Sequence, residues 1–383
     1  MDALQRRNAI LDVSVIEEDP SLDIKEVIEP AAQANSESAI NEAALEKLGK
    51  IETPSSRLTI GNRISSGSDL TGLGIAKTQL NNPIAKNDID SLGKDFLNLK
   101  KQTEKDIAEQ PNFYFTKEDN YHKTFDDIGC PRKTALSIGE ANEKFFLHAN
   151  RVAMRDGKEY IALCCPWYWP EGYTQLFWEQ GGVIIDLTNP NDLKKDKRPE
   201  SYFPEELNDG FNFEDSPFSV TCDEIERIKS KSSDNDAVKG QEDNNKKKKR
   251  LIVTQYSYTI KKEGEQGKDI RRIHFENWPD QQAIKPEAML ELIETIESLV
   301  DEEDRLNVHC RAGVGRTGTF ITAYTMYQLK KQGLAYKDYR STLHKVILEG
   351  RMQRGENFVQ TSTQLQSLYE FGGLLYAEVE DKG

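Results

Sequence analysis

An α/β fold is predicted for the larger part of this 383-residue chain, and three observations predict it. Every Trp, Tyr, Phe, Cys and His lies at Phe96 or later, so the residues that build a packed core are confined to that part. Within it, β-like apolar runs alternate with stretches of helical spacing. Towards the C-terminus a short apolar strand, a glycine-containing loop and a helix follow one another, the arrangement that presents backbone N–H groups to an anion.

The elements follow in order. Residues 1–95 are rich in Ala, Ser, Asn, Glu and Ile, with turn-forming pieces at Glu52–Ser56 and Ser65–Ser68 and a short helical pattern at Ile40, Ala43, Ala44, Leu45 and Leu48. Weak apolar content of this kind reads as a flexible extension, or as one that orders on a partner. The division is expected near residue 95, leaving residues 96–383 as one large domain. There Tyr160–Leu163, Gly182–Leu187 and Leu251–Thr254 read as strands. After Pro286, Met289, Leu290, Leu292, Ile293, Ile296, Leu299 and Val300 recur at helix spacing. Leu306–His309 reads as a buried strand, and a second helix is expected from Arg316 to Lys331, stopped by Gly333. Residues 229–250 carry no apolar periodicity and read as a surface insertion between two strands. Its last residues, Lys246–Arg250, are a cationic cluster that could touch anionic lipid or an import receptor, or be a solvated hairpin tip.

Charge and composition exclude several classes. With 51 basic and 65 acidic side chains the formal net charge is −14, which argues against general nucleic-acid binding. No run approaches the roughly 18–20 apolar residues of a membrane span, and the mean hydropathy is −0.70. Five scattered cysteines, an odd number, read as reduced thiols in a cytosol-like compartment. The opening Met1–Val13 has no small-residue cleavage site of the Sec type.

The chemistry is concentrated in Val308–Gly318, with the sequence VHCRAGVGRTG. A cysteine between a strand end and a helix start sits where N–H groups converge, and such an electropositive cup favours a thiolate. Gly313 and Gly315 let Ala312, Gly313, Val314 and Gly315 turn successive N–H groups toward one centre. Arg316, six residues after Cys310, can return to that centre and grip two oxygens with its planar fork. Thr317 adds a hydroxyl, and Arg311 adds positive charge at the mouth, suited to acidic peptides or to inositol phosphates. The matching ligand is a tetrahedral dianion. A Walker loop would end in Gly-Lys-Ser/Thr rather than Gly-Arg-Thr, and His309–Cys310 adjacency is poor zinc-ligand geometry, so neither nucleotide loop nor metal site is expected.

Residues 308–318 resemble the signature loop of the cysteine-based protein tyrosine phosphatases. His274–Asp280 resembles that family's acid loop and Phe358–Leu365 its glutamine loop. Phe146–Asn150, Tyr160–Ala162, Phe177–Gln180, Val183–Asn189 and Tyr202–Pro204 resemble framework segments, in family order, over about residues 120–372. The tyrosine-specific branch fits best. The resemblance implies a twisted mixed central sheet flanked by helices, and no cofactor. It implies that Cys310 attacks phosphorus, Arg316 holds the phosphoryl oxygens, and Asp280 protonates the leaving group and then serves as base. Gln360 and Gln364 would place the hydrolytic water, Thr317 would ease thiolate departure, and His309 would orient the Cys310 backbone. Trp278 would act in closing the acid loop, unless it is ordinary core. Phe125, within Lys123–Ile128, stands where the family presents a tyrosine against the substrate ring; its alternative is also core packing. Asp192 stands where an acidic residue would support Arg316.

The partners implied are phosphotyrosine-containing proteins. Two other functions fit parts of the pattern: a phosphoinositide phosphatase, favoured by Arg311 and Lys246–Arg250, and a catalytically dead phosphotyrosine-binding module, which would normally have lost Cys310, Arg316 or Asp280. The aromatic-free leader resembles those of phosphatases that pathogenic bacteria inject into host cells, where it serves as secretion signal and chaperone-binding segment. A regulatory tail is the other reading.

Overall fold

A computed structural model describes residues 83–377 except 117–118, 120, 141–143, 196–200, 215 and 229–250. The leader up to residue 82 and the Lys246–Arg250 cluster lie outside the described residues.

The first described element, α1 (Pro83–Ala108), crosses the boundary expected near residue 95. Leu99 is buried in the main core, with Leu92 and Phe96 packed against it. The helix is tied to the domain by Asp95, which takes hydrogen bonds from Tyr369 (2.7 Å) and Arg340 (2.5 Å).

Nine strands form one sheet among the described residues: β1 (Ala135–Ile138), β2 (Phe145–Ala153), β3 (Glu159–Leu163), β4 (Val183–Asp186), β5 (Gly210–Asn212), β6 (Phe218–Ile228), β7 (Val253–Lys262), β8 (Lys268–Phe275) and β9 (Leu306–His309). Their spatial order is β1-β2-β3-β9-β4-β8-β7-β6-β5. The central run β3-β9-β4-β8 is parallel and both wings are antiparallel. Parallel strands covered on both faces need continuous apolar runs. The four residues of β4 and the four of β9 are accordingly all buried.

Side chains alternate between two cores, as strand geometry requires. On one face Tyr160, Ala162, Val183, Ile185, Leu306 and Val308 meet α4 (Pro286–Leu299), α5 (Gly315–Lys331), α6 (Tyr336–Arg354) and α7 (Ser362–Ala377). On the other, Ile161, Leu163 and Ile184 meet α2 (Pro170–Gln180). A short helix, α3 (Pro190–Lys195), follows β4. The spacing read after Pro286 explains α4: Met289, Leu292, Ile293 and Ile296 form one fully buried stripe. Each such side chain contributes about 1.5–3 kcal/mol.

Leu306–His309 is a strand with the expected limits, and the helix expected from Arg316 begins one residue earlier. Of the strand expected at Leu251–Thr254, only Val253 and Thr254 are in a strand, the longer β7, which pairs with β6 from Ile228↔Val253 to Phe218↔Lys262. The pairing continues because the polar residues after Thr254 alternate with buried Tyr256, Tyr258 and Ile260.

Candidate active site

The parallel strands β9, β4 and β8 end together, with Asp186 paired to His309 on one side and to His274 on the other. Loops leaving that edge carry the site, the usual place for a ligand in an α/β sheet. The loop after β9 holds Cys310, which is 3% exposed at its base.

What turns this loop is a set of bonds to its carbonyls. The Arg311 carbonyl accepts from the Cys165 amide (3.0 Å). The Ala312 and Gly313 carbonyls accept from Arg354 (3.2 and 2.9 Å). In a planar trans peptide the following N–H points opposite to the C=O, so three successive amides, from Ala312 to Val314, are turned the other way. Gly313 is at φ +70°, and a Cβ there would lie 2.0 Å from the Leu163 carbonyl oxygen. At Gly315 a Cβ would meet Gln360 Oε1 at 3.0 Å and Gln364 Nε2 at 3.1 Å, so both glutamines lie directly against the loop. Gln364 Oε1 accepts from the Gln360 and Thr361 amides, and its Nε2 is buried with no protein partner.

Arg316 is 1% exposed and fully anchored on one side. Its Nη1 donates to the Leu187 carbonyl (2.9 Å), Asp192 (2.7 Å) and the Trp278 carbonyl (3.0 Å), while Nη2 donates to Asp280 (3.1 Å). Burial disfavours its charge, but the Cys310 sulfur, Asp192 and Asp280 outweigh that, and its pKa is raised. Asp192 therefore stands where it was expected, fully buried behind Arg316. Trp278 reaches the site through its backbone: its ring is fully buried, Nε1 donates to the Gln282 carbonyl (2.8 Å), and its own carbonyl also accepts from Asn189 (2.8 Å). The side chain is thus an anchor of the acid loop and does not line a substrate pocket.

His309 is fully buried; its Nε2 meets the Tyr202 hydroxyl at 2.8 Å. Burial lowers its pKa to about 4 despite the nearby Asp186, so the ring is neutral. Thr317 is buried and its hydroxyl has no protein partner. Phe125 packs against the second core on one side, and the Arg311 guanidinium lies 5.3 Å from its ring centre. The Tyr168 ring meets it edge-on at 5.2 Å. Phe125 and Arg311 are thus brought together next to the signature loop.

Arg351 and Arg354 lie outside the sequence motifs described above. Arg351 donates to the Phe358 and Val359 carbonyls (3.0 and 3.2 Å) and so shapes the glutamine loop. Arg354, fully buried, shapes the signature loop and also bonds Asn150 Oδ1 (2.8 Å). Both lie on the stripe of α6 that carries Leu343, Val346, Ile347 and Gly350, and cations at core spacing were the available signal.

Fold and site together define a buried thiol set in a turn of inward-facing amides, closed on one side by an anchored arginine and a carboxylate. Protein-tyrosine phosphatase is the family whose model matches, over residues 120–372, more than half of the sequence. The chain belongs to the protein-tyrosine phosphatase family. It is 29% identical to tyrosine-protein phosphatase YopH of Yersinia pseudotuberculosis over 135 residues, 31% of this chain and 27% of YopH. It is 28% identical to the non-receptor phosphatase ptp-2 of Caenorhabditis elegans over 224 residues, 52% of this chain and 32% of that protein. It is also 36% identical to human receptor-type tyrosine-protein phosphatase R, over 30% of this chain and 17% of that protein. The alignments thus span between 17% and 32% of these relatives' lengths. Among solved structures, PTPN18 in complex with a HER2 phosphopeptide superposes with a TM-score of 0.59 at 19% identity, over 74% of this chain and 93% of PTPN18. That likeness is one of fold, and it agrees with the twisted mixed sheet expected. No helix among the described residues is long and apolar enough to cross a membrane.

Proposed function

We propose that this chain hydrolyses phosphotyrosine in proteins through a phosphocysteine intermediate. One observation carries the reading: Arg316 of the nucleophile loop and Asp280 of the acid loop, 36 residues apart, meet at 3.1 Å. Arginine and acid are in reach of the same bound group.

In the first step the Cys310 thiolate forms an S–P bond in line as the P–O bond to the phenol breaks. Arg316 and the amides of the 312–314 turn hold the equatorial oxygens. The leaving oxygen takes the proton of the Asp280 carboxyl. In the second step water attacks phosphorus, Asp280 takes its proton, and the S–P bond breaks to return the thiolate. Gln360 and Gln364 place that water, the Thr317 hydroxyl stabilises the departing sulfur, and His309 orients the Cys310 backbone. Phe125, with Arg311 against its ring, forms the wall for the phenyl group.

The test is kcat/KM of one purified sample on a phosphotyrosine peptide, a phosphoserine peptide and a soluble phosphoinositide. A large preference for the first supports the reading. Equal or better turnover of the phosphoinositide would make Arg311 and Lys246–Arg250 specificity elements of a lipid phosphatase, and binding without turnover would mark a dead module.

The finer expectation, delivery into host cells with a secretion chaperone on residues 1–95, is supported by the composition of that segment and the likeness to a Yersinia phosphatase. A translocation reporter fused to residues 1–95 tests it; no transfer from a secreting bacterium would sink it. Limited proteolysis tests the domain division.

A further inference from the structure

Beneath the site lies a buried charged cluster that the mechanism above does not use. Asp186, at the end of β4, is fully buried. On its Oδ1, the Thr188 amide and hydroxyl donate at 2.9 and 2.6 Å. On its Oδ2, Arg272 of β8 donates from Nε at 2.9 Å and lies within 2.7 Å through Nη2. Arg272 is 2% exposed, reaches outward to Glu205 at 2.9 Å, and stacks on Tyr202 and Tyr256. The Tyr202 hydroxyl stands 3.5 Å from Asp186 Oδ2 and 2.8 Å from His309 Nε2. His274, paired with Asp186 across the ladder, lies with Nε2 3.9 Å from Oδ2 and 3.1 Å from the Thr188 carbonyl. Tyr258 and Cys165 complete the groups around this cluster.

The chain positions matter more than the individual bonds. Asp186 is followed directly by Leu187, whose carbonyl anchors Arg316. His309 is followed directly by Cys310, and His274 opens the segment that ends in Trp278 and Asp280. One carboxylate therefore touches the roots of all three segments that carry the chemistry. An isolated ion in such a place would be costly, so Asp186 and Arg272 hold each other there.

We propose that Asp186 is a positioning residue for phosphoryl transfer: it fixes the orientation and tautomer of His309 through Tyr202, and with Arg272 and His274 it sets the nucleophile turn and the acid loop relative to each other. The inference rests on the phosphatase reading above. The chain of donors gives one consistent order: His309 Nε2–H to Tyr202 oxygen, and Tyr202 O–H to Asp186. That order leaves His309 Nδ1 without a proton, and Nδ1 is buried with no protein hydrogen-bond partner. Burial would raise the pKa of Asp186, but His274, Arg272 and the Thr188 hydrogen bonds hold it well below the usual carboxylate range, so the carboxylate stays charged.

The experiment uses the full chain and the variant Asp186→Asn, which keeps shape and removes charge. Two readouts are taken: kcat and KM on a phosphotyrosine peptide, and the 15N imidazole spectrum, tractable because the chain has five histidines. Expected are a single Nε2–H tautomer of His309 in the wild type and a mixture in the variant. With it, kcat should fall by about 10- to 100-fold while KM moves less than about threefold, the mark of groups displaced in the transition state. A variant with lower Tm but unchanged tautomer and kcat within about twofold would overturn the inference and leave Asp186 as a mere counter-ion of Arg272. Should Asp186→Asn not fold, Tyr202→Phe breaks the path to His309 and keeps the Asp186–Arg272 pair. The same two changes are then expected, and their absence overturns the inference equally. A wild-type chain without turnover would overturn the phosphatase reading, and the tautomer measurement separates that failure from failure of the inference.

Discussion

Replacing Arg354 with Met should damage the nucleophile loop without touching any group that meets substrate. Arg354 is fully buried and donates to the Gly313 carbonyl (2.9 Å), the Ala312 carbonyl (3.2 Å), Asn150 Oδ1 (2.8 Å) and the His148 carbonyl (3.4 Å). Methionine has a similar stem and no donors, so the Ala312 and Gly313 carbonyls lose their partner, while the His148 carbonyl keeps the Cys164 amide and Asn150 Oδ1 keeps the Cys130 thiol. Each buried orphan costs about 1–3 kcal/mol. Entry of water and loop relaxation recover part of that, and about 3–5 kcal/mol of destabilisation is expected. The consequence for function is separate. Freed from Arg354, the 312 and 313 carbonyls can swing toward the site and take their amides out of the cradle, losing about 2.7–4 kcal/mol of transition-state stabilisation for one lost donor. That corresponds to about 10²–10³ in kcat. The assay pairs thermal unfolding with steady-state kinetics and with the inhibition constant of vanadate, a tetrahedral oxyanion that reports the cradle alone. Loss of stability with wild-type kcat/KM and wild-type vanadate inhibition would refute the argument that Arg354 sets the loop.

Other outcomes follow from the same geometry. Gly313→Ala places a Cβ 2.0 Å from the Leu163 carbonyl oxygen at φ +70°, so kcat/KM should fall by at least about 100-fold, and activity near wild type would show the loop more pliant than its contacts imply. Asp280→Asn should cut kcat about 10²–10⁴-fold on a phenyl phosphate and much less on an ester with a very acidic leaving group; equal losses on both would remove Asp280 as the acid. Stability should fall as pH drops from about 6.5 to 4. His309 takes up its proton in the unfolded chain near 6.5 but only near 4 when folded, so the unfolded state binds more protons in that window, a loss of up to about 3 kcal/mol. Buried His148, also shifted down, adds to it with the same sign. A Tm that is flat between pH 6.5 and 4.5 would contradict this. Val359→Gly should be close to neutral despite the loss of a buried side chain, because Val359 sits at φ +59°, where a β-branched residue is strained and glycine is not; chemical denaturation measures it, and a loss above about 2 kcal/mol would refute the strain.

The sequence showed most where a pattern repeats or where residue types are rare. Leu306–His309 and the stripe of α4 were readable because buried strands and amphipathic helices leave regular apolar spacing. Cys310 and Arg316 were readable because thiol, glycines and guanidinium within one loop have few other uses. Less could be read from residues whose role depends on distant neighbours. Arg354 sits 44 residues after Cys310, and its core spacing on α6 marks it as buried without showing what it meets until α6 is laid against the loop. Asp186 lies inside the run Gly182–Leu187 that reads as a strand, and its meaning depends on Arg272, two positions before His274 in the neighbouring strand. Trp278 is the reverse case, a conspicuous residue whose fully buried ring supports the loop while its carbonyl meets Arg316. The extent of α1 escaped for another reason: Ser91–Asp95 lack aromatics, yet Asp95 is held by Tyr369 and Arg340 from α7 and α6.

The contact between Arg316 and Asp280 makes ligand entry an exchange reaction. The Asp280 carboxylate occupies one arm of the guanidinium, while Asp192 and two carbonyls saturate the other. An arriving phosphoryl group must displace that carboxylate, and the displaced Asp280 is then already beside the ester oxygen. Measured affinities for phosphate-like ligands are therefore differences between two ion pairs. Removing the Asp280 charge should tighten oxyanion binding even as it abolishes efficient turnover.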